Sequence, residues 1–295
     1  MSTVLTSTSA PAVARPPSRT RRFTRRVTSP WTYAALVAIL AGSAFPVYWS
    51  FVVSSQTPDA VGSVPPVLVP GGHLFENIAR VFDETNFGLA LANSVIVSGT
   101  ITLSVVLFST LAGFAFAKLR FRGRTVLLLL VVATQAIPTE LGVVPLYIMM
   151  ADFGWAGQLQ AVIVPGLVTA FGVFFMRQYF ERALPLELLE AGRMDGCGSL
   201  RLFWHVALPT ARPAAAVLGL FTFMQAWNDF FWPLVVLVPE NPTVQTALST
   251  LASGYTTDYT LVLTAATLGT IPVLLVFLLF GRQIVGGIMQ GALKG

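Results

Sequence analysis

Six apolar runs, each near the length needed to cross a bilayer, and an almost one-sided distribution of cations constrain this chain more than any other feature. A helix needs about 20 mostly apolar residues to span the hydrocarbon core. Runs of that order lie at roughly 31–53, 89–117, 125–150, 160–180, 211–232 and 261–280. Charged residues make up 11% of the chain, against about 25% in soluble domains. The fold class expected is therefore an all-α membrane protein with six transmembrane helices. Pro138 and Pro145 in the third run and Pro272 in the sixth predict kinks or local unwinding.

Orientation follows from Lys and Arg, which favour cytoplasmic loops. Six arginines precede the first run. Four cations (Lys118, Arg120, Arg122, Arg124) follow the second, five lie from Arg177 to Arg212, and Arg282 and Lys294 follow the last. With both termini in the cytoplasm, only Arg80 falls outside. Residues 1–30, rich in Ser, Thr, Pro and Arg, read as a disordered basic arm. The arm with its long apolar run fits an uncleaved anchor better than a signal peptide. Residues 31–280 form the membrane domain, and 281–295 a glycine-marked cytoplasmic tail that is a poor helix by itself. Two sizeable loops, 54–88 and 238–260, face outward.

Several chemistries are excluded. The net charge of +5 is absorbed by short loops, so it does not point to nucleic acid. One cysteine, Cys197, rules out an internal disulfide and a multi-cysteine metal site. His73 and His205 are far apart, with no metal or catalytic pattern around them. A P-loop needs a Gly-Lys pair, yet the only lysines follow Ala117 and Leu293. This chain therefore holds no such nucleotide site. Ion-driven carriers hold acids deep in their spans. Glu140 and Asp229 sit toward outer ends, as interfacial carboxylates or as lining of a polar pathway.

A polar, glycine-marked stretch between spans is EAGRMDGCGSLRLFWHVALP, Glu190 to Pro209. Pro185 suits a first helical turn, so 186–198 is expected to form a short helix along the membrane face. Ala191, Asp195 and Gly198 would then share one side. Two readings stand. Either the small residues admit another backbone, or Glu190 pairs locally with Arg193 and the glycines end the helix.

This stretch resembles the coupling signature of permease subunits of bacterial ATP-binding-cassette importers. Glu190, Ala191, Gly196, Leu208 and Pro209 match it, and Asp195-Gly196 matches the form common in the sugar branch. Gly192 replaces the usual second alanine. FPVYW (45–49), NSVIVSGT (93–100), AGFAFAKLRFRGR (112–124), WNDFFWPLVVL (227–237) and GRQIVGGIMQGALKG (281–295) extend the resemblance to the smaller permease of maltose-type sugar importers. The resemblance implies the type I importer permease fold and a non-catalytic membrane subunit. Its partners would be a homologous second permease, two copies of a cytoplasmic ATPase that binds ATP and Mg, and an extracellular sugar-binding protein. The short helix would seat in a groove of the ATPase, and the tail would report to the ATPase pair.

Trp227, Asn228, Asp229 and Trp232 offer aromatic faces and hydrogen-bonding groups suited to sugars, or an interfacial aromatic belt. Asn93 and Gln135 are further pathway candidates, with hydrogen bonding between helices as their other role. Ser253, Gly254 and Tyr255 would form the tip of a loop reaching the binding protein. An ion-coupled carrier or channel that works without an ATPase is the alternative.

Overall fold

A computed structural model describes residues 29–253 and 257–292, the last eleven as helix backbone only. The basic arm before residue 29, residues 254–256 (with Gly254 and Tyr255) and residues 293–295 lie outside the described residues. The chain divides into two units, Met1–Phe45 and Pro46–Gly295. In the first, the described part is the leading stretch of helix α1 (Pro30–Ser54), with every side chain exposed. Pro30, placed in the arm by composition, opens that helix, where a missing N–H costs nothing.

Helices are the only regular elements among the described residues of the second unit. After α1 come a short turn of helix, α2 (Pro58–Val61), and α3 (Leu74–Glu84), so the loop 54–88 is not plain coil. The second span is α4 (Phe87–Lys118). The third span is broken. α5 (Arg124–Thr134) is followed by a 3-10 turn at Thr139–Gly142 and α6 (Val143–Asp152), and the two halves meet at a bend of 89°. Pro138 accounts for the break, because it lacks an N–H and disfavours helical geometry at Ile137. Pro145 falls in the first turn of α6, where no intrahelical acceptor is lost, and it produces no second break.

The fourth span combines α7 (Leu159–Ile163) with α8 (Ala170–Ala183). α9 (Leu186–Met194) and α10 (Ser199–Leu202) lead through a π-helical turn, Phe203–Ala207, into α11 (Leu208–Asn228). The fifth span therefore runs over Ser199–Asn228, starting earlier than its apolar run and ending before Trp232. Trp232 belongs to α12 (Phe231–Val236). The loop 238–260 holds another helix, α13 (Val244–Ala252), closed by a capping box between Thr243 and Thr246.

The last helix, α14 (Tyr259–Ala292), passes Pro272 without ending. Trp227 Nε1 donates to the Gly269 carbonyl at 3.1 Å, next to the Leu268 carbonyl that Pro272 leaves without its helical donor. α14 also continues through most of the expected tail. A glycine-rich segment makes a poor helix alone, but as the extension of a formed span it needs no costly nucleus.

α4 is the central element, flanked by α8 and α11. Small residues set the α4–α8 distance, as is usual in membranes. A Cβ on Gly113 would lie 2.7 Å from the Arg177 backbone nitrogen, and one on Gly172 would strike Ser109 Oγ. The main core joins Val105 and Phe114 to Met176, Phe180, Phe203 and Leu218. A second cluster gathers Val81, Phe87, Phe223, Trp227 and Ala265.

Candidate functional site

The Glu190–Pro209 stretch builds a compact two-helix knuckle on the face that carries the basic turn. α9 starts after Pro185 and buries Leu189. It ends at Asp195 because Gly196 enters the left-handed region at φ +77°, a conformation glycine adopts without steric cost. Backbone bonds from Asp195 N to Ala191 O (3.1 Å), Gly196 N to Arg193 O (3.0 Å) and Cys197 N to Gly192 O (2.9 Å) close the end. The helix is thus shorter than 186–198, and Gly198 stands in front of α10 as its N-cap. Ala191, Asp195 and Gly198 therefore do not form one helical side, because the chain turns between them.

Gly192 has an internal role. A Cβ there would collide with Leu202 Cδ2, so this glycine lets α10 lie directly on α9. Nothing lies within 4 Å of a Cβ on Gly196, so that glycine answers to backbone geometry alone. The substitution of glycine for alanine at 192, which suggests a looser helix, instead permits close packing. The outer surface stays open. Glu190, Ala191, Met194 and Asp195 are exposed, Met194 at 88%. Among the described residues Glu190 makes no ion pair, so the local bond to Arg193 that the spacing allows is not formed.

Leu208 and Pro209 close the stretch. Leu208 packs against the main core. Pro209 has no N–H for the His205 carbonyl, and the helix widens to a π turn immediately before it, a form common at functional positions. Thr210 Oγ1 donates to Val206 O at 2.7 Å, and Tyr179 OH donates to Thr210 O at 3.0 Å. These bonds hold the junction between knuckle and span. Neither Leu202 nor the π turn was recognised from the sequence, although Pro209 inside an apolar run signals the second.

On the opposite face the WNDFFWP segment turns inward. Trp227 is buried and stacks with Phe223. Trp232 Nε1 donates to Ala161 O at 3.0 Å. Asp229, half-buried, lies just before Phe230, the N-cap of α12. Asn228 is exposed but ties its amide to Met224 O at 2.8 Å. Trp227 is thus committed to the interior, while Trp232 is half-buried at the edge of the main core.

Asn93 is buried and donates to Asn241 Oδ1 and Pro242 O, both at 2.8 Å. Asn241 Nδ2 in turn donates to Gly157 O at 3.0 Å, and Ser94 Oγ accepts from Val244 N at 2.8 Å. Asn93 thus fastens a loop, where helix-to-helix bonding was the expectation. Asn241 and Ser94 were missed because a lone polar residue in a loop or span carries no pattern. Gln135 and Glu140 are exposed on either side of the broken third span. Ser253 ends α13 with its hydroxyl on Thr250 O.

Asp258 caps α14, accepting from Thr260 N at 2.9 Å, and takes Arg80 Nη2 at 3.0 Å. Burial alone would raise its carboxyl pKa. Hydrogen bonds from Thr260, Arg80 and Leu261 outweigh that and hold it below the usual carboxylate range. Among the described residues no cluster of His, Cys, Asp and Glu could hold a metal.

Up to six spans by length and composition, one of them broken, together with an exposed short helix between the fourth and fifth, define a membrane-embedded permease. Residues 105–288 match the family "Binding-protein-dependent transport system inner membrane component", and the chain belongs to it, as a permease subunit of an ATP-binding-cassette importer. It is 33% identical over 275 residues to the lactose transport system permease protein LacG of Rhizobium radiobacter, covering 92% of this chain and 98% of that one. It is 32% identical over 257 residues to the sn-glycerol-3-phosphate transport system permease protein UgpE of Yersinia pestis (83% and 90% covered). The arabinooligosaccharides transport system permease protein AraQ of Halalkalibacterium halodurans is 33% identical over 228 residues (77% and 81%). A chain from the crystal structure of a bacterial ABC transporter involved in the import of the acidic polysaccharide alginate shares the fold, with a TM-score of 0.75 at 24% identity, over 85% of this chain and 95% of that one.

Proposed function

We propose that this permease moves a sugar, an oligosaccharide or a related polyol derivative, delivered by an extracellular binding protein, into the cytoplasm. The relatives named for lactose, arabinooligosaccharides and sn-glycerol 3-phosphate support a polyhydroxylated solute. A homologous second permease completes the membrane domain, and two copies of a separate ATPase bind ATP and Mg. Both termini lie in the cytoplasm, in keeping with the placement of the cations. The observation that carries this reading is α9: its inner side is locked by Leu189 and the Gly192–Leu202 contact, while Glu190 and its neighbours face outward, Glu190 without an ion pair among the described residues. A rigid helix with an open face suits rigid-body coupling of nucleotide-driven motion to the spans.

Asn228, Gln135 and Glu140 are the exposed members of the pathway set. They contact solute on this reading, while Trp227, Asp229, Trp232 and Asn93 hold the wall behind them. The loop from 238 to 260, including the positions Ser253 to Tyr255, meets the binding protein. The test is purification of the complete complex with its binding protein, identification of the bound solute, and uptake into proteoliposomes. Uptake that requires ATP and the binding protein is expected. Uptake by this chain alone under an ion gradient would establish a secondary carrier instead.

A further inference from the structure

We infer that the turn between α4 and α5 is a binding site for the phosphate of an anionic phospholipid. An open depression there is lined by Arg120, Phe121, Gly123, Arg124, Thr125 and Val126. Four cations, Lys118, Arg120, Arg122 and Arg124, fall within seven residues. Among the described residues Arg120 and Arg122 make no ion pair. Arg124 is only weakly neutralised. Its Nη2 is 4.0 Å from Glu181 Oε1, and that same oxygen is held by Arg177 Nη2 at 2.5 Å. The depression therefore carries an uncompensated positive charge.

Backbone donors add to it. Gly123 takes the left-handed conformation at φ +79° and α5 begins directly behind it, and among the described residues no side chain caps its first N–H groups. Such groups attract phosphate oxygens. The positive-inside tendency explains cations in this loop, but it does not require two of them, Arg120 and Arg124, to line a depression at a helix N-terminus.

The apolar neighbours select the source of the phosphate. The turn joins two membrane spans, so it lies where headgroups lie. Phe121 is 40% exposed and leans on Phe116 of α4, with ring centroids 5.8 Å apart. Val126, on the rim, is 61% exposed, and Leu127 follows it. A lipid places phosphate against the cations and acyl chains against these side chains; free phosphate uses only the first. Basic pockets at this level in membrane proteins bind such headgroups.

The full-length chain, purified in mild detergent and passed through vesicles of phosphatidylglycerol or phosphatidylcholine, is examined by native mass spectrometry for retained lipid. The wild type is expected to keep phosphatidylglycerol in preference to phosphatidylcholine, and excess inorganic phosphate should not displace it. The double change Arg120→Gln with Arg122→Gln should lower retention about tenfold, and Arg120→Lys with Arg122→Lys should restore most of it. Thr125→Asp keeps every cation and favours the helix N-terminus, yet puts a carboxylate where the phosphate would sit. It should lose the lipid while leaving thermal stability unchanged. Undiminished phosphatidylglycerol retention in Thr125→Asp, or equal retention of both lipids by the wild type, would overturn the assignment. Displacement by inorganic phosphate alone would replace the lipid with a soluble anion and overturn it equally.

Discussion

The knuckle at Glu190–Pro209 and the segment at Trp227–Pro233 both stand out in the sequence as polar or aromatic interruptions, yet the fold uses them in opposite ways. In the knuckle Gly192 faces inward onto Leu202 and the charged groups stay open. At the far segment Trp227 is buried and Trp232 half-buried, and the N–H groups of both are spent on carbonyls of neighbouring helices. The difference teaches that a residue's chemistry does not announce its direction. A carboxylate on a two-turn helix at the membrane surface has nothing to bury against. A tryptophan at a helix break removes a large apolar area from water or lipid and also supplies a donor where backbone bonding is interrupted.

The largest expected effect is on the closed side. Trp227→Ala should destabilise the solubilised protein by about 3–5 kcal/mol, read as a lowered thermal unfolding midpoint. Trp227→Phe should retain most of the packing and lose chiefly the bond to Gly269. Were the alanine variant as stable as wild type, the contrast between the two segments would collapse.

Next comes the inner side of the knuckle. Gly192→Ala should cost about 1–3 kcal/mol through overpacking against Leu202. Combining it with Leu202→Ala should recover part of that cost of the first change, although the smaller residue carries its own penalty, and a double-mutant cycle measures the coupling. Strictly additive losses would show that the contact is not shared. Gly196→Ala should cost about 1–2 kcal/mol in this chain without any partner, because a Cβ is strained at positive φ. Gly196→Asn should be milder. Impaired coupling in a Gly196 variant therefore says nothing about an ATPase unless chain stability is measured beside it.

The Asp258–Arg80 pair also holds the closed side, with an effect under about 1 kcal/mol for so exposed a bond. Since the folded carboxyl pKa is depressed, its contribution is complete above the unfolded value of about 3.9. It is lost as pH falls through the lower, folded value. Asp258→Asn should flatten this part of the acid stability profile, and an unchanged profile would remove the pair from the account. The smallest effect on stability belongs to Glu190→Ala, within about 0.5 kcal/mol, because the side chain is open. On the proposed function that same variant should lose solute-stimulated ATP hydrolysis. Loss of stability comparable to the Gly192 variant would show the open face to be structural.

Apolar length and the one-sided cations determined by themselves that the chain spans a membrane repeatedly, since a bilayer admits few alternatives to long helices. Pro138 foretold the broken third span because a missing N–H acts locally. The short helix after Pro185 was equally legible, because its start signal is local. What only the tertiary structure decided is which side chains face which neighbours. Gly192 depends on Leu202 ten positions on, Asn93 on a loop 148 positions away, and Trp227 on a carbonyl 42 positions away. Those partners lie on other elements, and only close packing between helices fixes which of them meet. The continuation of α14 through its glycines likewise depends on a helix already formed before them, a cooperative property that residue-by-residue propensity does not contain.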